Sequence, residues 1–301
     1  VATLFPASQE PVYAQVVPTA EGAGTTVTEA AVDGGIEGAV QYDIAGGMQA
    51  GGNLFHEFDE FSLSTTETAN FTSDSGVFNI VGQISAANPS SIDGTVQVSG
   101  SDANLYLINP SGVLFGPDAQ LSLSGSFTAT TADQMQFGED WVAVGADNTN
   151  YEALADAPAA LRFSNASAGA VVNHGELNVS AGESLSLVGG TVVNTGRLEA
   201  PGGEVGLVAV GGEKTVRLAV PGSLLSMEVD ANQLDVGEGA FPASDLSALL
   251  TGSSPEAADS LVVNADGSVT LSRTVVDLGS VVATGEISAS TPADVMPQRG
   301  S

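Results

Sequence analysis

Apolar and polar residues alternate in short segments along the chain, and this pattern predicts β-strands. Residues 96–98, 121–123, 177–179 and 185–187 each place one polar residue between two apolar ones, with turn-forming Gly, Asn, Asp or Ser residues close by. A period of two turns one face of a strand towards the core and the other towards water. The pattern therefore favours many short, half-buried strands over amphipathic helices.

A repeat of about twenty residues is clearest in the second half of the chain. Residues 171–177, Val-Val-Asn-His-Gly-Glu-Leu, return 21 positions later as residues 192–198, Val-Val-Asn-Thr-Gly-Arg-Leu. A period near twenty, built from short strands without a helix, is typical of a β-solenoid. Each coil buries its apolar face by stacking on the next coil at a spacing of about 4.8 Å.

The repeat also predicts which side chains lie above one another. The expected pairs are Val172 and Val193, Leu177 and Leu198, and Asn173 and Asn194. We expect the valines and leucines to face inward and the asparagines to form an amide ladder at a corner. The leucines assigned to the core are Leu105, Leu107, Leu121, Leu123, Leu177, Leu185, Leu187 and Leu198.

Three segments depart from this alternation. Phe55, Phe58 and Phe61 recur at a spacing of three, which is closer to a helix or a wrapped edge than to a strand. They could cap an apolar end of the fold or form an exposed aromatic site for a partner. Residues 139–163 and residues 238–260 also break the rhythm, and we predict that both are excursions from the solenoid.

The sharpest turn signal of the chain is Asn109-Pro110-Ser111-Gly112, which separates two apolar runs. Pro110 has the φ that the second position of a type I turn requires. The side chain of Asn109 can accept a bond from backbone N–H groups two or three residues on. Gly112 tolerates a left-handed conformation without steric cost. The stretch therefore predicts a strand, a tight corner and a second strand.

Three blocks around this turn resemble the haemagglutination-activity domain, the N-terminal secretion domain of filamentous-haemagglutinin-like exoproteins of two-partner secretion (TPS). They are residues 52–58, 103–117 and 125–132, and they are similar to the cyanobacterial branch of that family. Ser111 departs from the pattern, since the family usually has Asn there. The family's second common motif, Asn-Pro-Asn-Leu, has no match in this chain.

The resemblance implies a secretion domain without catalytic activity, cofactor or metal. The partner would be an outer-membrane two-partner secretion transporter with POTRA domains, which meets the domain in the periplasm of a Gram-negative-type, cyanobacterium-like cell. The chain would cross the outer membrane unfolded and nucleate β-helix folding outside, in the medium or at the cell surface. The residues expected to be recognised are Asn109, Pro110, Ser111 and Gly112 and, as a secondary motif, Asn53, Leu54, Phe55 and His56.

The repeat and the resemblance together predict an all-β fold, a right-handed single-stranded parallel β-helix with an N-terminal cap and small excursions. We assign residues 15–298 to one such domain, with the cap at about residues 15–90. At about 20–25 residues per coil it would hold on the order of ten coils over about 50 Å. Residues 1–14, which end in a small-residue cleavage pattern, fit a signal-peptide remnant. Residues 299–301 fit the remnant of a tag, which would make the chain a fragment of a longer exoprotein.

The chain is strongly acidic. It contains 36 Asp and Glu residues but only six Lys and Arg residues, which gives a net charge of −30. No basic residue precedes Arg162. Such a surface repels nucleic acid and anionic lipid. It fits a solubility or salt-adaptation surface better than a surface for a basic partner or divalent cations, and both interpretations stay open.

Other features narrow the chemistry further. The chain contains no cysteine, which excludes disulfides, thiolate catalysis and thiolate metal sites. No apolar run is long enough to span a membrane, so we expect no membrane insertion. We also expect the protein to be a monomer. The two histidines, His56 and His174, lie far apart and no nucleophile motif or phosphate loop occurs. Two alternatives to secretion stay open: an adhesive β-helix that binds a cell-surface ligand directly, and a β-helical polysaccharide lyase.

Overall fold

The protein is described by a computed structural model, which covers residues 15–20, 22–31, 38–85, 87–146, 149–165, 168–218, 226–228, 260–263, 269–272 and 281–289. Within these residues nearly all regular structure is β-strand, and the one helical element is a 3₁₀ turn at Tyr151–Ala153. None of them belongs to a helix long and apolar enough to cross a membrane. The assignments for residues 1–14 and 299–301, and the excursion at residues 238–260 except Ser260, lie outside the described residues.

The chain winds through three sheets, which we call the first, second and third faces, and each parallel strand pairs with its equivalent in the next coil. The first face consists of β5 (Asn53–Phe61), β7 (Asn79–Ile84), β10 (Asn104–Ile108), β13 (Phe127–Thr130), β19 (Leu185–Gly189) and β22 (Val205–Ala209). The second face consists of β8 (Ser90–Ile92), β11 (Val113–Phe115), β17 (Ala170–Asn173), β20 (Thr191–Asn194) and β27 (Val281–Ala283). This arrangement is the predicted single-stranded parallel β-helix.

The third face is interrupted once. Its first part consists of β3 (Val40–Gly46), β6 (Glu67–Thr72), β9 (Thr95–Ser99) and β12 (Gln120–Ser122), and its second part of β18 (Glu176–Asn178), β21 (Arg197–Glu199) and β28 (Glu286–Ser288). The strands β12 and β18 are neighbours along the solenoid, yet they belong to separate hydrogen-bonded sheets. A cleft of about 370 Å³ lies at this interruption, between residues 121–124 and 178–180.

An N-terminal cap covers one end of the solenoid. Its last strand ends at Ala50, whereas the sequence placed the cap at about residues 15–90; residues 53–92 hold strands of the three faces. The strands of the cap are β1 (Val16–Pro18), β2 (Thr25–Ala31) and β4 (Met48–Ala50). β1 and β4 pair antiparallel with β5, and β2 pairs antiparallel with β3. The cap therefore occupies strand edges that would otherwise be open to pairing with another chain.

One excursion forms an antiparallel sheet of its own against the outer side of the first face. Its strands are β14 (Gln134–Phe137), β15 (Asp140–Ala143), β16 (Pro158–Phe163), β23 (Lys214–Arg217) and β24 (Ser226–Glu228). A second apolar core fills the space between this sheet and the first face. A separate hairpin is formed by β25 (Ser260–Val263) and β26 (Val269–Ser272).

All three faces line one continuous core inside the solenoid. Six of the predicted core leucines are fully buried in it: Leu105, Leu107, Leu177, Leu185, Leu187 and Leu198. Leu121 and Leu123 also pack against this core but remain half-buried. They lie at the interruption of the third face, where no paired strand of the next coil covers them.

Two of the three predicted ladders have the expected geometry. Leu177 pairs with Leu198 across β18 and β21, and both side chains are fully buried. Asn173 Nδ2 donates to Asn194 Oδ1 over 2.8 Å, and both residues are fully buried at the corner between the second and third faces. The amide ladder satisfies polar groups whose burial without a partner would cost about 1–3 kcal/mol each.

The register of the valine ladder is confirmed, but the face that we assigned to it is wrong. Val172 does pair with Val193. The fully buried residues, however, are Val171 and Val192, whereas Val172 and Val193 are half-buried. Asn173 must face inward to close the corner with its amide. Because side chains alternate along a strand, Val171 then faces inward and Val172 faces outward.

The phenylalanines at residues 55–61 lie on a strand, so the helix-like interpretation of their spacing is wrong. All three rings are fully buried. The pairing of β1 with β5 is irregular between Val17 and Pro18, which allows Phe58 and Phe61 both to face the solenoid core, while Phe55 faces the second core. Their burial excludes these rings as an exposed aromatic site for a partner.

The part of the solenoid formed by the described residues is shorter than the ten or so coils predicted for the domain. Among the described residues the first face holds six parallel strands, and at a step of about 4.8 Å they span about 24 Å. The described strands outside the three faces belong to the cap, to the antiparallel sheet of the excursion and to the separate hairpin. The register partners Val113 and Val171 are 58 positions apart, and Val192 and Val281 are 89 positions apart, because the chain leaves the solenoid between them.

Candidate recognition site at the first corner

The turn at residues 109–112 forms the corner between the first and second faces. It joins β10, which ends at Ile108, to β11, which begins at Val113. The N–H of Gly112 donates to the carbonyl of Asn109 over 3.0 Å and closes a four-residue turn. Asn109 Oδ1 accepts the N–H of Ser111 over 2.9 Å. The strand, the corner and the local asparagine bond are therefore present as predicted.

Asn109 also ties its coil to the coils on both sides. Its Nδ2 donates to the carbonyl of Asn88 over 3.1 Å and to Ser90 Oγ over 3.0 Å, both in the preceding coil. Its backbone N–H donates to the carbonyl of Thr130 in the following coil over 3.0 Å. The residue is fully buried. Asn109 thus links three coils by hydrogen bonds, in addition to forming the local turn that we predicted.

Close packing restricts the rest of the turn. Gly112 has a φ of +134°, and a Cβ there would lie 3.3 Å from the Cβ of Pro89. Gly169 passes over the turn in the next coil, where its N–H donates to the carbonyl of Pro110 over 3.2 Å. A Cβ on Gly169 would lie 2.7 Å from the backbone nitrogen of Gly112. A backbone contact therefore excludes a side chain at Gly169, whereas at Gly112 the positive φ disfavours one.

Only part of the turn reaches the surface of the folded domain. Pro110 and Ser111 are half-buried, whereas Asn109 and Gly112 are buried. Leu114, two positions further on, is one of the few exposed large apolar residues, with 36% of its surface accessible. A partner can therefore contact Pro110, Ser111 and Leu114 on the folded domain, but it can reach the Asn109 amide only before the coils stack.

The secondary motif lies at the opposite edge of the first face, so the structure does not bring the two motifs together. Asn53 begins β5, and it aligns through Asn79 of β7 with Asn104 at the beginning of β10. Asn109 follows the other end of β10. A separation of five strand residues corresponds to about 16 Å.

Asn53 is the first member of an asparagine ladder that the sequence analysis missed. Asn79 Nδ2 donates to Asn53 Oδ1 over 2.9 Å, and Asn104 Nδ2 donates to Asn79 Oδ1 over 3.0 Å. Asn104 Oδ1 accepts the N–H of Ser126 over 3.0 Å. The ladder runs along the edge where the third face turns into the first. Its signal in the sequence is an Asn before an apolar strand at intervals of 26 and 25 residues.

The secondary motif also anchors the excursion. Asn53 Nδ2 donates to the carbonyls of Leu154 and Asp156, at 2.7 Å in each case. The ring of Phe55 contacts Tyr151, with centroids 5.0 Å apart. Asn53 and Phe55 therefore hold residues 151–156 against the outer side of the first face.

Leu54 and His56, the other two residues of this motif, lie in the solenoid interior. Leu54 belongs to the apolar core, and the ring of His56 lies 5.6 Å from that of Phe71. His56 Nδ1 is 3.3 Å from Thr25 Oγ1, whereas Nε2 has no partner among the described residues. Burial lowers the pKa of His56 to about 4, so the ring is neutral near pH 7. In the described part of the chain, no three His, Asp or Glu side chains converge as metal ligands would.

Comparison with known proteins places this fold among secretion domains. Residues 17–271 match the family model of the TPS secretion domain. The chain is similar to the HMW1 secretion domain from Haemophilus influenzae, with 21% identity, a TM-score of 0.46, and coverage of 71% of this chain and 47% of that one. It is also similar to the filamentous hemagglutinin secretion domain, with 18% identity, a TM-score of 0.40, and coverage of 72% and 68%. The match thus spans about half the length of the HMW1 structure. No curated protein matches the chain.

Proposed function

Because the chain belongs to the family of TPS secretion domains, we propose that it is the N-terminal secretion domain of a longer exoprotein that leaves the cell by two-partner secretion. Domains of this family belong to exoproteins secreted across the outer membrane, and they are not enzymes. The observation that carries the proposal is the family match over residues 17–271, which includes both sequence motifs. The parallel β-helix with its N-terminal cap agrees with this assignment.

The proposed partner is a cognate outer-membrane transporter whose POTRA domains recognise this domain in the periplasm. We assign the recognition to the turn at residues 109–112, with residues 53–56 as the secondary motif. The burial of Asn109 supports recognition before the coils stack, because its amide is then accessible. We also propose that the domain is a monomer. The resemblance to the cyanobacterial branch supports a cyanobacterium-like Gram-negative cell as its source.

We also assign to the domain the nucleation of β-helix folding outside the cell. The cap covers the N-terminal end of the solenoid, while β22, β27 and β28 are the last described strands of the three faces. A coil that is already folded offers three strand edges on which the next coil can stack. Because each coil contacts only its neighbours, folding can propagate along the exoprotein in this way.

The recognition proposal is tested by comparing Asn109→Ala with Asn173→Ala. Asn173 is a matched control, because it is another fully buried corner asparagine that bonds to a neighbouring coil. Like Asn109, it also accepts a backbone N–H two residues on, here from Gly175 over 3.0 Å. Each variant is produced with the cognate transporter, and the protein in the medium is quantified. The melting temperature of each refolded domain is measured in parallel.

We expect Asn109→Ala to lower secretion by at least about tenfold, because the transporter loses a recognised amide. Asn173→Ala should be secreted at a level that follows its thermal stability alone. If secretion of both variants falls only as much as their melting temperatures fall, the turn is just a corner of the folded coil and the recognition proposal is wrong.

A further inference from the structure

A polar cleft of about 560 Å³ lies on the outer side of the first face, where the cap and the excursion meet. Glu57 of β5 and Gln83 of β7 are paired neighbours in the sheet and both line the cleft. Thr19 of the cap and Thr149 and Tyr151 of the excursion line it as well. Its volume is in the range of small-molecule sites, about 300–1,000 Å³.

The side-chain amide of Gln83 is the least expected group in this cleft. Gln83 as a residue is only 4% exposed, and no side-chain hydrogen bond joins its amide to another described residue. The buried unpaired side-chain atoms of the described residues are His56 Nε2 and Asn70 Oδ1, so the Gln83 amide is not sealed in the interior but opens into the cleft. Ile108, its partner in the next coil, is buried and apolar, as expected beneath the excursion. Because its amide opens into the cleft, Gln83 presents a donor and an acceptor to whatever occupies it.

Glu57 is held in a fixed position at the same site. The Tyr151 hydroxyl donates to Glu57 Oε1, and the N–H of Ala23 donates to Glu57 Oε2 over 2.8 Å. Burial, followed by the contact with Glu57, raises the pKa of Tyr151, which therefore stays a donor. Each carboxylate oxygen keeps a further lone pair for a hydroxyl group. Because both oxygens already accept hydrogen bonds, the site differs from a bare carboxylate that would capture a cation.

The chemistry of the cleft fits a neutral polyol. Glu57 offers acceptors, and Gln83 offers a donor and an acceptor. Met48, which is 43% exposed, lines the same cleft and gives the C–H face of a sugar ring an apolar surface. None of the described lining residues is basic, and the chain carries a net charge of −30, so an anionic ligand is disfavoured. We propose that this cleft binds a neutral saccharide unit of one or two rings.

The proposal is tested by saturation-transfer NMR on the whole chain with neutral sugars as probes. The panel consists of glucose, galactose, mannose, fucose, N-acetylglucosamine, N-acetylgalactosamine, lactose, maltose and cellobiose, with putrescine as a cationic probe. Gln83→Leu removes the amide without breaking any described bond and keeps the side chain's size. Gln49→Leu is the matched control, because Gln49 lies on exposed β4 outside the cleft and bonds only to the carbonyl of Gly51.

We expect saturation transfer to at least one neutral sugar, a weakening of about tenfold or more in Gln83→Leu, and no change in Gln49→Leu. Glu57→Gln should weaken the same signal, because the amide offers one acceptor oxygen instead of two. The proposal is overturned if no sugar of the panel gives a signal, if the signal survives in Gln83→Leu, or if putrescine alone binds. Melting temperatures within about 2 °C of the unsubstituted chain would show that Gln83→Leu is folded, and a larger fall would shift the decision to Glu57→Gln.

Discussion

His56 should make the stability of this domain depend on pH. Its ring is fully buried beside Thr25 and Phe71, and burial lowers its pKa to about 4. In the unfolded chain the pKa is about 6.5. Between these two values the unfolded chain binds a proton that the folded chain does not bind. The free energy of unfolding therefore falls as the pH falls from about 6.5 towards 4, and it is fully regained above 6.5.

The magnitude follows from the distance between the two pKa values. Below pH 6.5, each further unit of decrease in pH lowers the free energy of unfolding by up to about 1.4 kcal/mol. Between pH 7 and pH 5 the loss amounts to about 2 kcal/mol, and near pH 4 it approaches about 3 kcal/mol. The effect of His56 is best measured at pH 5 and above. Carboxyl groups with ordinary pKa values near 4 stay mostly ionised there, so their protonation contributes little to the change in stability.

The measurement is urea unfolding, followed by far-UV circular dichroism at pH 7, 6 and 5. His56→Leu serves as the comparison, because it fills the same interior position and cannot titrate. We expect the unsubstituted domain to lose about 2 kcal/mol more than His56→Leu between pH 7 and pH 5. Equal losses in the two proteins would refute the reasoning, since they would mean that the folded domain can protonate His56 freely.

Two further substitutions test the packing of the coils. Leu187→Ala should lower the free energy of unfolding by about 2–5 kcal/mol, because the side chain is fully buried. Leu114→Ala, on the surface, should lower it by less than about 1 kcal/mol. Equal losses of the two variants in urea unfolding would contradict the assigned faces. Gly196→Ala should lower the melting temperature, because its Cβ would lie 2.1 Å from the carbonyl oxygen of Gly175 in the preceding coil. Gly76→Ala, whose Cβ meets nothing within 4 Å, is the control and should melt like the unsubstituted domain.

The sequence was sufficient to predict the solenoid, because its evidence is local and repeated. The 21-residue repeat defines the register of β17 with β20, and hence the pairing of Leu177 with Leu198. It also contained the orientation of Val172, which we assigned wrongly. Burial alternates without interruption from Val171 to Val179, so an inward Leu177 requires an inward Val171 and an outward Val172. The half-buried state of Leu121 depends on the interruption of the third face. That interruption cannot be predicted from the sequence of the strand, because it depends on where the neighbouring coil lies.

The candidate sites were predictable only in part, for a related reason. The local bond of Asn109 follows from turn chemistry, but its bonds to Asn88 and Ser90 depend on how two coils of different length align. One signal was available, since residues 88–90 and 109–111 both read Asn-Pro-Ser. The cleft around Gln83 had no such signal. Its walls come from the cap and the excursion, and only the folded chain places them beside β7.

The excursions show how cheaply this architecture accommodates inserted sequence. The chain leaves the solenoid after β22 and returns at β27, so that the register partners Val192 and Val281 lie 89 residues apart, where a regular coil needs 21. Loop-closure entropy grows only with the logarithm of length, so the longer path costs about 1.3 kcal/mol more than the short one. Inserting one residue within a strand of a coil would instead shift the register of that strand and turn every following side chain to the wrong face. The chain leaves the solenoid at the corners after β13 and β22. These two corners are therefore the positions at which a foreign peptide or a small domain could be grafted, with the coils on either side pairing as before.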